Sequence, residues 1–326
     1  MRIISCLFNQ AEQLGLFYKE RYYLTSELSE SLPLTMDEFL KEGEEAMNQL
    51  AGYQQKLEQD ENVYPSHGAS ELTLLAPVPY PGSFRDAYAF RQHVETSRRN
   101  RGLEMIPEFD LFPVFYFSNH RAIFGSGRID CLPHHFEKLD FELEVALVIN
   151  KKGRNIPASK ADEYIAGFMI LNDLSARKIQ MDEMKLNLGP AKGKDFASAI
   201  GPYLVTKDEL TAYEVDAPEG HVGICYDLPM RCSVNGVEVS SGNLASMHWT
   251  FAEIIERASD GVDLFPGDLI GSGTVGTGCF LELNGTGKLN DPNYAEQWLQ
   301  PGDEVVMEVE GLGTLSNTVS LVSSQS

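Results

Sequence analysis

The spacing of apolar positions along the chain changes several times. Residues 2–8 (RIISCLF) and 14–28 (LGLFYKERYYLTSEL) read as short strands with polar punctuation. Thr35 then opens the strongest helical signal. It has capping-box spacing to Glu38, and Phe39, Ala46, Leu50, Tyr53 and Leu57 recur on one helical face, predicting an amphipathic helix to about Gln59. The polar stretch EQDENVYPSHGAS and the proline-rich LLAPVPYPG after it read as a linker, which predicts a unit at 1–75 and a second at 76–326. Beyond the linker the pattern predicts strands at 142–149, 166–172, 201–206, 230–240, 278–284, 303–311 and 314–321. Helices are expected at 86–100, 159–165, 175–184 and 248–259. The regular strand–helix alternation of a doubly wound sheet is missing, so the expected class is a β-rich α+β fold.

The stretch LDFELEVALVIN breaks the pattern. Asp140, Glu142 and Glu144 alternate with Phe141, Leu143 and Val145, which puts three carboxylates on one face of a strand. From Val145 to Ile149 every position is apolar, as in a strand covered on both sides. The acidic face therefore runs into a buried region, where ionised carboxylates are costly unless a cation compensates them.

Charge narrows the partners. With 48 acidic and 26 basic side chains the formal charge is −22, which disfavours nucleic acid and anionic membrane surfaces. No segment approaches the roughly 18 uninterrupted apolar residues of a membrane span, and MRIISCLFNQ lacks the features of a signal peptide. Cys6, Cys131, Cys225, Cys232 and Cys279 are odd in number, scattered, and free of CxxC spacing, so neither a disulfide framework nor a zinc site is expected. A cytoplasmic protein acting on a small molecule fits these features.

Several segments carry candidate chemistry. RDAYAFRQHVETSRRNR, read as a helix, sets Asp86 and His93 two turns apart on one face. GFMILNDLSARKIQ ends an apolar strand at Asp173, with Ser175 placed to cap a short helix on which Arg177 and Gln180 offer donors to an anionic ligand. GPAKGKDF lacks the spacing of a phosphate-binding loop, but Lys194 in it is placed to polarise a substrate oxygen. LFPGDLIGSGTVGTGCFLELNG joins a turn and a glycine-rich loop to an expected strand, where Glu282 is as readily an outward-facing residue as a catalytic one. Asp86, Glu142, Glu144 and Asp173, without clustered cysteine or paired histidine ligands, describe a hard oxygen site for Mg²⁺, Ca²⁺ or Mn²⁺.

In order along the chain, RDAYAFRQH, the E-x-E of FELEVAL, NDLSARKIQ, GPAKGKDF, PGDLIGSGT and GTGCFLEL resemble the fumarylacetoacetate hydrolase family. The resemblance implies a mixed β-roll catalytic domain, a small N-terminal SH3-like β domain, and a homodimer. It makes Asp86, Glu142, Glu144 and Asp173 the metal ligands, with Mg²⁺ the first expectation. His93 becomes the base that activates water, and Glu282 the carboxylate that orients it. Arg177, Gln180 and Lys194 match donors around the substrate's oxygens and developing carbanion. Tyr88, Tyr116 and Thr274 match substrate contacts. A family tyrosine after the SARxIQ motif has no counterpart in MDEMKLNLGP, and Arg98, Arg99 and Arg101 all stand near a family arginine position. The implied activity is hydrolysis of a C–C bond in an anionic β-diketo acid, fumarylacetoacetate or an acylpyruvate, through a metal-stabilised enolate. Decarboxylation, isomerisation or dehydration of a 2-oxo acid is the alternative within the family, and a non-catalytic, metal-stapled fold is the alternative outside it.

Overall fold

The computed structural model describes residues 1–323. Its centre is the strand Leu143–Ile149, every residue of which is buried. It runs antiparallel to Ile165–Asp173 on one side and to Leu269–Gly271 on the other. On the first side the sheet continues through Ser198–Val205 to Arg2–Phe8, Ala11–Tyr18 and Arg21–Leu24. On the second, Leu269–Gly271 pairs in parallel with Phe84–Ala87, and Phe115–Phe117 forms the edge. The fold is α+β and strand-rich.

Burial on both faces explains the continuous apolar run. Leu143, Val145, Leu147 and Ile149 enter one core, with Met230, Met307 and Leu315 from a second, five-stranded sheet and Phe251 and Ile255 from the helix Phe251–Ser259. Ala146 and Val148 point the other way, into a core built with Ile3, Leu16, Phe39, Leu50 and Leu57. The segment 1–75, expected as a small SH3-like unit, thus supplies strands to the large sheet and covers one of its faces.

The capping box of Thr35 and Glu38 is present, but the helix it opens breaks at Gly43 (φ 63°) into Met36–Glu42 and Glu44–Gln59. Across 14–28 the expected short strands are the end of Ala11–Tyr18 and Arg21–Leu24, parted by a turn at Lys19 and Glu20 with positive φ, but Thr25–Leu28 is a short helix. The expected strand 230–240 is a hairpin, turned at Asn235–Gly236, where both residues have positive φ.

Three differences bear on the site. Residues 86–100 are not one helix: Phe84–Ala87 is a strand held between two neighbours, and the helix is Arg91–Arg99. Residues 278–284 are not a strand, because Phe280–Asn290 is helical. Ser175 does not cap the helix Arg177–Met184; its hydroxyl donates instead to the Asp173 carbonyl at 3.1 Å. All five cysteines are free, and no helix among the described residues is long and apolar enough to cross a membrane.

The two tryptophans, Trp249 and Trp298, pack against the first core, whereas Leu50 is fully buried in the second. Leu50→Ala is expected to cost about 2–5 kcal/mol. Because the two cores share a sheet, tryptophan fluorescence and far-UV circular dichroism should shift together in denaturant. A fluorescence transition that stays in place would show that residues 1–75 unfold independently.

Candidate active site

The carboxylates emerge where the second core's apolar surface ends. Asp86 alternates with buried Phe84, Glu144 with Ala146 and Val148, and Asp173 with Leu171, so all three strands present them on the same sheet face. Asp86, Glu142, Glu144 and Asp173 are all at most 5% exposed. Oxygens of Asp86, Glu142 and Glu144 lie within 4.8 Å of one another. Gly271 makes room for this: a Cβ there would meet Asp86 Oδ1 at 2.3 Å. Gly273, at φ 79°, donates its N–H to the same oxygen at 3.2 Å.

Two buried cations face the cluster. Lys194 Nζ donates to Glu142 and, at 2.6 Å, to Asp173 Oδ2. Arg177 donates from Nη2 to Glu142 Oε1 (2.7 Å), from Nε to Asp140 Oδ2 (2.8 Å) and from Nη1 to Gln180 Oε1 (3.0 Å). Tyr116 and Ser198 donate their hydroxyls to Asp173, and Thr274 donates to Glu144 Oε1 at 3.2 Å. Asp173 therefore stands beside the close group of three, with its oxygens occupied by protein donors.

These contacts divide the carboxylates electrostatically. Burial alone would raise Glu142, but Arg177 and Lys194 hold its carboxyl well below the usual range. Burial and the neighbouring Asp173 push Asp86 up to about 7. Burial and the neighbouring Asp86 push Glu144 well above an ordinary carboxyl, and its Oε2 is buried without a hydrogen-bond partner. Lys194 is held protonated, against burial, by Asp173 and Glu142. An all-oxygen donor set with one oxygen unsatisfied fits a hard divalent cation, for which Asp86, Glu142 and Glu144 would be ligands.

Beside this cluster, His93 Nδ1 lies 2.6 Å from Glu282 Oε2, and both side chains are at most 5% exposed. The pair joins the helix Arg91–Arg99 to the first turn of Phe280–Asn290. With Nδ1–H donated to the carboxylate, Nε2 is left as the acceptor. The Tyr88 ring and the imidazole form a T-shaped pair at a centroid separation of 5.8 Å. Cys279 Sγ also lies within 4.8 Å of this pair. Burial and the nearby Asp140 charge raise that thiol well above its ordinary value.

The sequence reading missed what Asp140 does. It is fully buried and accepts from Phe280 N (2.7 Å), Leu281 N (3.0 Å) and Phe141 N (3.0 Å) as well as from Arg177. Its alternation with Glu142 and Glu144 was visible, but Arg177, Phe280 and Leu281 are remote from it in sequence. Ser198 was missed too, because a serine in an apolar strand carries no distinguishing signal.

A buried carboxylate cluster, with its own cations and an adjoining His–Glu pair, is an arrangement that suits acid–base chemistry beside a divalent cation. Residues 83–320 match the family model "Fumarylacetoacetate (FAA) hydrolase C-terminal". The chain is 31% identical over 310 residues to the fumarylacetoacetase of Bos taurus, covering 80% of this chain and 73% of that one. It is 32% identical over 289 residues to the mitochondrial oxaloacetate tautomerase FAHD2A of Homo sapiens, covering 89% and 81%. In fold it is similar to fumarylacetoacetate hydrolase from Exiguobacterium antarcticum, with a TM-score of 0.69, 23% identity, and 99% and 100% of the two chains covered. It is similar also to maleylpyruvate hydrolase from Sphingobium sp. SYK-6, solved with manganese(II) and pyruvate, at a TM-score of 0.68, 17% identity, and 98% and 99% coverage. The chain belongs to the fumarylacetoacetate hydrolase family, and its relatives include proteins named as fumarylacetoacetases and as oxaloacetate tautomerases.

The raised carboxyls predict a pH dependence. Asp86 and Glu144 bind protons more tightly folded than unfolded, so the stability they contribute is present in acid and is lost as pH rises, for Asp86 from about 4 through about 7. A cation that displaces these protons offsets that loss. Mg²⁺ should therefore raise Tm more at about pH 8 than at about pH 5.5, measured by calorimetry with and without chelator. Equal increments would exclude these two carboxyls as ligands. Gly271→Ala, which drives a Cβ into Asp86, should abolish most of the increment.

Proposed function

We propose that this chain is a divalent-metal-dependent hydrolase that cleaves a C–C bond in a β-diketo acid, either fumarylacetoacetate or an acylpyruvate. The observation that carries the reading is the buried His93–Glu282 pair at 2.6 Å, set beside the carboxylate cluster and its two cations. When bound by Asp86, Glu142, Glu144 and, in this reading, Asp173, a divalent cation supplies Lewis-acid polarisation of the substrate's dioxo oxygens.

The chain's own residues account for the proton movements. His93 Nε2 takes a proton from water as the water oxygen bonds to the carbonyl carbon, and Glu282 stabilises the imidazolium that forms. The C–C bond then breaks. Its electron pair passes into the departing keto fragment as an enolate, and the proton held at Nε2 goes to the carbon of that fragment freed by the cleavage. Lys194, with its ammonium held protonated against burial, and the Arg177–Gln180 pair are the donors for the oxygen on which negative charge collects. Tyr88, Tyr116 and Thr274 complete the wall that contacts substrate. A homodimer belongs to this reading, and the exposed Leu111, Val114 and Phe117 support a face that association would cover.

A second reading, favoured by the 32% identity to proteins named oxaloacetate tautomerases, keeps the same residues but stops at proton transfer to and from the carbon α to a carbonyl. Hydrolysis alone gives two fragments with a new carboxylate. NMR of products from a panel of acylpyruvates, fumarylacetoacetate and oxaloacetate with Mg²⁺ therefore separates the two, and solvent exchange or isomerisation without fragments would establish the second.

His93→Ala is expected to lower kcat for hydrolysis by about 10²–10⁴-fold. Mg²⁺ should still raise its Tm, since the carboxylate cluster is untouched. Retained turnover in this variant would exclude His93 as the base.

A further inference from the structure

Asp140 is joined to both halves of the site. One oxygen accepts the Phe280 N–H, while the other accepts both the Leu281 N–H and the Arg177 Nε–H. Phe280 and Leu281 open the helix that carries Glu282 in its first turn, and the residue preceding that helix, Cys279, provides no side-chain cap. The helix has poor intrinsic support, with Gly285 and Gly287 among its residues. A carboxylate from another part of the chain is thus the group that satisfies its leading amides and meets its positive end. Glu282 is one residue beyond Leu281 and two beyond Phe280, so the height and tilt of that first turn set where its carboxylate meets His93. Arg177 is fixed from the same anchor, and its other arm holds Glu142.

We propose that Asp140 is a positioning residue whose carboxylate sets the Glu282-bearing helix and the Arg177 guanidinium in one frame, and so aligns the His93–Glu282 pair with the donors around the substrate. The proposal rests on the His–Glu reading above, but the geometry it asserts exists without substrate. Asp140→Asn keeps shape and one acceptor oxygen. It turns an amide N–H₂ toward donors, because Asp140 Oδ2 serves both Leu281 and Arg177.

The test reads the geometry and the chemistry separately. In substrate-free protein labelled with ¹⁵N-histidine, the Nδ1–H shared by His93 and Glu282 should give a downfield proton resonance, identified by its absence in His93→Gln. In Asp140→Asn this resonance should move upfield or broaden. Kcat should be about tenfold to a hundredfold lower, with KM little changed. Combined with Glu282→Gln, the Asn substitution should cost clearly less than it does alone, since both act on one pair.

A native resonance in folded Asp140→Asn, or losses that multiply fully in the double variant, would overturn the proposal. If the Asn protein does not fold, Asp140→Glu keeps the charge but carries it one methylene farther. A displaced resonance there supports positioning, and a native resonance with native kcat overturns it. A wrong substrate assignment would leave the NMR result standing, so the two failures are distinguishable.

Discussion

The structure turns on the cost of burying negative charge. Asp86, Asp140, Glu142, Glu144 and Asp173 are brought together with two cations, Arg177 and Lys194. The cations are not shared evenly. Glu142 touches both and ionises readily, Asp140 has the guanidinium and three backbone amides, and Asp173 has the ammonium and two hydroxyls. Asp86 and Glu144 receive no cation of their own, and their carboxyls are pushed up accordingly. The deficit lies at one spot, against an oxygen of Glu144 that no protein donor reaches. A protein that only needed stability would replace such groups with apolar ones; holding them here is intelligible as preparation for a divalent ion.

The sheet makes that arrangement affordable. Its central strand is buried on both faces by two separate cores, so the backbone that carries Glu144 is fixed by packing along its whole length. The N-terminal helices do not touch the chemistry. By covering one sheet face they create the apolar surface at whose margin the carboxylates emerge, and they exclude the water that would otherwise screen them.

The misread elements had consistent physical causes. LELN followed by Gly285 and Gly287 is poor helical sequence, and the alternation of Leu281, Glu282 and Leu283 imitates a strand. The glycines answer to close contacts: a Cβ at Gly285 would strike Asn100 and one at Gly287 the Tyr294 ring, each at 2.6 Å. The helix forms because Asp140 caps it from afar and Asn100 donates to the Glu282 carbonyl at 2.9 Å. Likewise, nothing local distinguishes the strand Phe84–Ala87 from the start of the helix that follows. Pairing with Leu269–Gly271, far along the chain, decides it.

Period and composition by themselves fixed the α+β class, the doubly buried run from Val145 to Ile149, the capping box at Thr35, and the acidic, oxygen-only character of the candidate ligands. Each is a property of neighbouring residues, and local backbone geometry is enough to express it. The motifs in their order along the chain also carried the family. Tertiary structure alone decided that Asp86 and His93 arrive on different elements, that Glu282 reaches His93 from a helix, and that Asp140 ties that helix to Arg177. The contacts of Glu282 with His93 and of Asp140 with Phe280 and Leu281 join residues more than a hundred positions apart, and a buried charge selects its partner by distance and solvation, which spacing along the chain does not encode.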